Sequence, residues 1–438
     1  MRADGKINTL VLGSGGREHS IAHYLSKSDL TGDLHCAPGN PGMMEIAAIH
    51  RADPCDRRAV LGLCKAYGIG LVVIGPEAPL AAGVSDSLRA SGVRVFGPGR
   101  AGASLESSKS FAKKFMRRHG VPTSDFDICT DPDECREAIS RRTHPYVIKA
   151  DGLAAGKGVF LADDAGDAEQ ICRDLLIEKK LGAAGETVVI EDFVSGLELT
   201  VFAITDGDSY RLMSPSRDHK RAYDGDKGPN TGGMGAYSPV RVPNDFMRRV
   251  EEEVIRPTLK GLRSDGIEYR GVIYMGLMLV GGGDARDEPG ISVIEYNVRF
   301  GDPETQAVLP LFRGDLARTL LACADGDVKS CPEVDNSGAA LCVVLASGGY
   351  PGGFVRSLPI RGLEGGCGES EDFPGSFIFH AGTDLDRDGR LVTAGGRVLT
   401  VVGVGGTFEA AKARAYARIS SISFDGMHYR KDIGWSEE

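Results

Sequence analysis

The sequence predicts an α/β protein built on a parallel sheet, and three observations carry that expectation. Short apolar runs, NTLVLG (8–13), GLVVIG (70–75) and VRVFG (93–97), alternate with helical stretches in the first hundred residues. This is the pattern of strands buried on both faces and joined by crossover helices. Glycine-rich turns follow such runs: GSGGREH (13–19), APGNPG (37–42) and GPEAPL (75–80). The length, 438 residues, exceeds what one ordinary core holds, so roughly two to four domains are expected.

Taken in order, the first strand leads into a helix from Arg17 to Lys27, and Pro79 to Ala90 reads as a helix between the later strands. In open α/β sheets ligands bind beyond the carboxyl ends of the strands, where these glycine turns lie. A helix from about Ser108 to His119, followed by Val121-Pro122, marks a boundary. A smaller α/β unit follows, with a Pro132-initiated helix, strands YVIKA and VFLA about a glycine turn, a helix near 167–180 and the strand TVVIEDFV. Residues 196–300 add strands, a long polar loop (214–239), a helix (245–263) and the hairpin YMGLMLV/ISVIEYN. Beyond about residue 328, AALCVVLA, RVLTVVGV and a helix over Phe408 to Ile419 form a last unit.

Composition narrows the function classes. A formal charge of -10 opposes nucleic acid as the main partner, since phosphate-backbone binding needs a broad basic field. No apolar run reaches the length of a membrane span, and the start lacks the apolar core of a signal peptide, so a cytoplasmic protein is expected. The ten cysteines show no CxxC pair and are expected to be reduced and mostly buried.

The richest stretch is IEYNVRFGDPE (294–304), which places Glu295, Asn297 and Arg299 at strict alternation. In a strand they project from one side. A carboxylate and an amide oxygen suit a hard divalent cation, and a guanidinium beside them suits a carboxylate or phosphate. A plain solvated strand face is the alternative.

Lys149-Ala-Asp-Gly-Leu-Ala-Ala-Gly-Lys-Gly puts two lysines, Lys149 and Lys157, around a glycine loop. Glycines let backbone N–H groups approach phosphate oxygens, and lysines neutralise them. Lys157 is followed by Gly158, so this is no Walker A; between two strands it reads as a flap over a nucleotide. Glu191-Asp-Phe-Val is a connector that can meet a purine edge, with Glu198 reaching a ribose. Asp218-His-Lys-Arg opens a polar loop of the length that is usually functional. GSGGREH begins like a dinucleotide fingerprint, but Glu18 stands at the third glycine, which puts a carboxylate toward the pyrophosphate and weakens an NAD reading. A helix N-terminus beside Arg17 better suits a monophosphate.

Together GSGGREH, GPEAPL, IKADGLAAGKGV, DHKR…GPNTGGMGAYSP, IEYNVRFGDPETQ and RKDIGW resemble the phosphoribosylamine–glycine ligase family (glycinamide ribonucleotide synthetase) of the ATP-grasp superfamily, from about residue 6 onward. The resemblance implies an ATP-grasp fold with an N-terminal domain (1–106), an ATP-grasp domain (107–328, its mobile lid at about 123–194) and a C-terminal α+β domain (329–438). It implies ligation of glycine to 5-phosphoribosylamine through glycyl phosphate in purine synthesis. ATP phosphates would meet Lys109 and Lys149 under a flap with Gly156, Lys157 and Gly158. Glu191, Asp192, Phe193 and Val194 would hold adenine, and Glu198 the ribose. Glu295 and Asn297 would hold Mg2+ or Mn2+. Gly15, Gly16, Arg17, Glu18, Asn40 and Glu77, with Asp218, His219, Lys220, Arg221 and Arg299, would form the substrate pocket, and Arg299, Lys149, Asp218 and Lys220 would act in catalysis. Val298 replaces the cysteine of many relatives, and RAYDGD (221–226) varies among them. The fused later purine enzymes of some relatives have no counterpart. A monomer acting on small molecules, without nucleic acid or membrane, is expected. The nearest alternative is an ATP-grasp ligase with another amine acceptor. A nucleotide-binding regulatory protein belongs to a different class, and an NAD dehydrogenase is the remotest.

Overall fold

The structure, a computed structural model, describes residues 5–154, 156–281, 289–332, 337–363, 366–369 and 371–435. The N-terminal strand Ile7–Gly13 lies at the centre of a parallel sheet, between Thr31–Pro38 and Ile69–Ile74, with Ala48–Ile49 and Arg94–Phe96 at the edges. Leu10, Val11 and Leu12 are all fully buried, Leu10 and Leu12 in one core cluster and Val11 in another, as expected for a strand covered on both faces. The predicted helix at 79–90 is two helices, Glu77–Ala81 and Val84–Ala90. Gly83 between them has φ +76°, a left-handed turn that ends the first and starts the second.

Two antiparallel sheets follow. One runs Phe126–Cys129, Val188–Asp192, Tyr146–Ala150, Val159–Ala162 and buries its own small core against the helices Pro132–Ser140 and Ala165–Leu176. The second of these helices starts at its Asp164 cap and stops short of the expected 180. The other sheet runs Tyr210–Leu212, Gly196–Thr205, Gly271–Val280, Gly290–Asn297. Below it lies a helical path whose middle turn, Val250–Ile255, widens to a π-helix just before Pro257, which has no N–H for the ladder.

The stretch 214–239 is not a loop. Arg217–Asp218 and Gly235–Ser238 join Ala339–Ala346, Arg397–Gly405 and Ser376–His380 in one antiparallel sheet, and Arg221–Tyr223 pairs with Lys227–Asn230. Polarity misled the sequence reading, because the glycines of GPNTGGMG serve close packing. A Cβ on Gly233 would lie 2.4 Å from Pro303, and one on Gly235 2.6 Å from the Cys342 carbonyl. The helix Phe408–Ile419 covers this sheet, with Gly403 beneath it. All ten cysteines are free thiols, eight of them buried. Among the described residues no helix is long and apolar enough to cross a membrane.

Candidate active site

The site is built on the strand Gly290–Asn297, and its geometry depends on a bulge. Gly276 pairs with Glu295 while Leu277 pairs with Val293, so Ile294 is an extra residue. The bulge turns Val293 into the core and Glu295 into the cleft, although simple alternation puts both on one face. Opposite Glu295 stands Gly276, whose Cβ would meet Glu295 Cγ at 3.1 Å. From Glu295 onward alternation holds: Asn297 and Arg299 line the same cleft, while Tyr296 and Val298 are buried in the core. The strand ends at Asn297, so Arg299 stands in the bend beyond it. The Val298 N–H donates to Glu106 Oε2 at 2.8 Å in place of a ladder partner.

Cations crowd Glu295. Lys149, on the lid strand Tyr146–Ala150, donates from Nζ to the bulged Ile294 carbonyl at 3.1 Å. Lys109 opens the helix Lys109–His119, which Ser108 caps through the Phe111 N–H and Asp151 through the Ser110 N–H. Burial alone would raise the Glu295 pKa, but Lys220, Lys149, Lys109 and Arg299 outweigh it and hold the carboxyl below its usual value. Among the described residues none donates a hydrogen bond to this carboxylate. An ionised carboxylate without a donor, beside the Asn297 amide oxygen, fits a divalent cation whose remaining ligands are phosphate and water. Asn297 Oδ1 meets only a long contact from Arg299 Nη2, 3.3 Å. Among the described residues no group of three or more His, Cys, Asp or Glu side chains could hold a metal.

Most of the expected nucleotide residues border one cavity of about 450 Å3 between lid and floor, while Lys109 and Gly158 border the neighbouring one. Val147, Val159, Leu161 and Phe193 give it apolar walls, and Gly156, Asp192, Val194 and Glu198 also line it. Three placements add detail. The Glu191 side chain is buried between Lys113 Nζ (2.6 Å) and Lys149 Nζ (2.8 Å), so what the connector has for a purine edge is its backbone. Glu198 is engaged by Lys220 in an ion pair. Lys157 stands exposed at the flap turn, outside the lining of both cavities described here, and Ala155 of that loop lies outside the described residues. Gly158 is buried against Ala154 and Ala150.

Asp218 and Lys220 reach the same cleft from the strand and turn at 217–220. Burial, with Glu304 and Glu198 against the pull of Lys220, pushes the Asp218 carboxyl up to about 7. His219 borders the larger cavity and has a structural task besides. It is buried, and its Nε2 accepts the Gly434 N–H at 2.9 Å, so its ring anchors the RKDIGW segment. Arg221 donates to the Gly228 carbonyl across its ribbon and borders the cavity.

Arg299 is already gripped by acids, 2.8 Å from Glu106 and 3.5 Å from Glu77. Arg17, also buried, donates to the Phe300 carbonyl at 3.0 Å and contacts Glu18. Asn40 donates to the Ser14 and His380 carbonyls, while its Oδ1 is buried without a partner. Glu18 is engaged within its own turn. Its carboxylate accepts the Gly15 N–H at 2.6 Å and fills the space over Gly13 and Gly75, where a third glycine would have left room for a pyrophosphate. Gly16 is equally tight, 2.7 Å from Gln306 Nε2 for a built Cβ. At Gly75 a Cβ would sit 2.1 Å from Glu18 Oε1. Gly75→Ala is therefore expected to cost about 1–3 kcal/mol, read from chemical unfolding, by displacing a buried carboxylate.

Four site residues escaped the sequence reading: Glu106, Lys113, Asp302 and Glu304, all bordering a cavity of about 220 Å3 that opens on Glu295. Lys113 lies one helical turn beyond Lys109, a spacing that signals a shared face. Glu106 gave no such sign.

A cleft roofed by a four-stranded lid and floored by a second antiparallel sheet is that of an ATP-grasp enzyme. The chain belongs to the phosphoribosylglycinamide synthetase family, matching its N domain over residues 7–106, its ATP-grasp (A) domain over 107–305 and its C domain over 340–436. A phosphoribosylamine–glycine ligase of Phenylobacterium zucineum is 43% identical, the match covering 98% of this chain and 99% of that protein. A trifunctional purine biosynthetic protein of Gallus gallus is 44% identical over 97% of this chain and 42% of its own length. The crystal structure of a Thermotoga maritima phosphoribosylamine–glycine ligase superposes with TM-score 0.85 at 36% identity, covering 98% of this chain and all of that one. Biotin carboxylase from Campylobacter jejuni shares the fold at 13% identity, TM-score 0.75.

Proposed function

We propose that this chain joins glycine to 5-phosphoribosylamine at the expense of ATP, giving glycinamide ribonucleotide, ADP and phosphate in purine synthesis. The observation that carries the reading is Glu295: an ionised carboxylate without a hydrogen-bond donor among the described residues, ringed by Lys109, Lys149 and Lys220 between lid and floor. Adenine fits the apolar slot of Val159, Leu161 and Phe193, with Glu198 near the ribose, and Lys109 and Lys149 face the phosphates under the Gly156–Gly158 flap. Glu295 and Asn297 would hold a divalent cation, Mg2+ or Mn2+, whose chemistry would be to neutralise charge on the phosphates.

The glycine carboxylate attacks that phosphorus, ADP leaves, and glycyl phosphate forms. The phosphoribosylamine nitrogen then attacks the acyl carbon, phosphate leaves, and the amine loses a proton. Asp218, with a carboxyl near 7, is placed to take it, and Lys220 offsets the negative charge. Arg299 orients the reacting carboxylate, and Arg17 and Asn40 are assigned to the phosphoribosyl end, the Gly15 N–H being already given to Glu18. No protein nucleophile takes part; catalysis is positioning and charge neutralisation, and the closing flap keeps water from the acyl phosphate. The nucleotide machinery occupies the 107–328 region, its lid at about 123–194. ADP release is expected only when glycine and phosphoribosylamine are both present. Release with another amine, and not with this one, would reassign the acceptor.

A further inference from the structure

Lys113 has no part in the chemistry above, yet it is among the most deeply buried charges of the molecule, 2% exposed on the helix Lys109–His119. Its ammonium has three oxygen partners: Thr123 Oγ1 at 2.7 Å, Ser124 Oγ at 2.9 Å and Glu191 Oε2 at 2.6 Å. Thr123 donates onward to the Val293 carbonyl at 2.7 Å, and the Val293 N–H donates to the Pro122 carbonyl at 2.8 Å. The lysine thus sits where the lid strands meet the floor strand that carries Glu295.

The second oxygen of Glu191 is the telling one. Oε1 lies 2.8 Å from Lys149 Nζ, yet among the described residues it accepts no aligned hydrogen bond. The contact is therefore one of charge, while a Lys149 N–H is directed to the Ile294 carbonyl. Two ammonium groups share one carboxylate, so the buried triad carries a net charge of +1. Lys113 borders only the smaller cavity and is held there by two hydroxyls, whereas Lys149 borders both cavities. The surplus charge is presented to the cleft.

We propose that Lys113 is a positioning residue for nucleotide binding: it holds the Glu191 carboxylate so that Lys149 keeps its full positive charge for the phosphates. This rests on the reading of Lys149 as a phosphate ligand. A carboxylate with Lys149 as sole partner would make a neutral pair and cancel the attraction, and a unit charge a few ångströms from a phosphate, at the effective dielectric of a cleft, is worth about one to two powers of ten in affinity.

The test is calorimetric titration of the full chain with ATP and Mg2+, alongside steady-state ADP release. Lys113→Met is expected to weaken ATP binding roughly ten- to a hundredfold, while the KM for glycine stays within about twofold. Lys113→Met/Glu191→Gln removes both charges and leaves +1 on Lys149, so binding should return to within about threefold of the parent. A merely structural lysine would give the opposite, since the double variant loses two buried contacts. Lys149→Met separates the two readings. If it binds ATP normally, the phosphate assignment of Lys149 falls. If it binds poorly while Lys113→Met binds as the parent, the proposal for Lys113 is overturned. Should the single variant not fold, the double variant decides alone: binding as weak as in Lys149→Met overturns the proposal, and near-parent binding supports it.

Discussion

Glu295→Ala is expected to lose ligation by roughly three orders of magnitude while remaining folded. The carboxylate receives no hydrogen bond among the described residues, so its removal strands no donor. Its cationic neighbours keep other acids: Lys149 has Glu191 and Lys220 has Glu198. Stability should therefore change by no more than about 1 kcal/mol. What disappears is the anionic member of the Glu295–Asn297 donor pair, and turnover with it. Steady-state ADP release beside thermal unfolding checks both halves. A well-folded Glu295→Ala protein with ordinary turnover would remove the metal assignment and the reading built on it.

Arg299→Met should be damaging in a different way, through the fold as well as the chemistry. The guanidinium lies between Glu106 and Glu77, and removing it leaves two acids facing each other, a change that costs about 3–5 kcal/mol at a buried ion pair. The loss has a pH signature. Burial already raises the Glu106 carboxyl above its usual value, with Arg299 opposing, and without Arg299 it rises further. A carboxyl whose folded pKa exceeds its unfolded value binds more protons when folded, so its contribution falls as pH rises. The deficit of the variant should be smallest near pH 4.5, where the unfolded carboxyl titrates, and should widen toward neutrality. Unfolding in denaturant at several pH values measures it. A deficit independent of pH would mean that Glu106 is paired in some other way.

Much of this architecture is written in local sequence. The strand at Ile7, the capped helices at Ser108 and Asp131, and the hairpin ending in Asn297 follow from apolar period, cap residues and turn chemistry, each a matter of near neighbours. The cluster of Glu295, Asn297 and Arg299 was legible because alternation is a short-range rule. Where the reading strayed, the deciding contact lay far along the chain. Polar residues 214–239 became sheet strands because Ala339–Ala346 offers them an edge. The anchoring of Gly434 by His219, likewise, joins residues 215 positions apart and could not be read locally.

Residue types and their spacing by themselves marked the candidate donors, cations and glycine turns, and the motifs they form together resemble one family. Only the tertiary structure decided how those charges are shared. Glu191 serves two lysines and Glu18 caps a glycine turn; Arg299 is held by an acid from a helix almost two hundred positions earlier. The reason is physical. A side chain's identity sets what it can bond, but the net charge a buried group shows depends on every neighbour within a few ångströms, and those neighbours are assembled by packing rather than by sequence proximity.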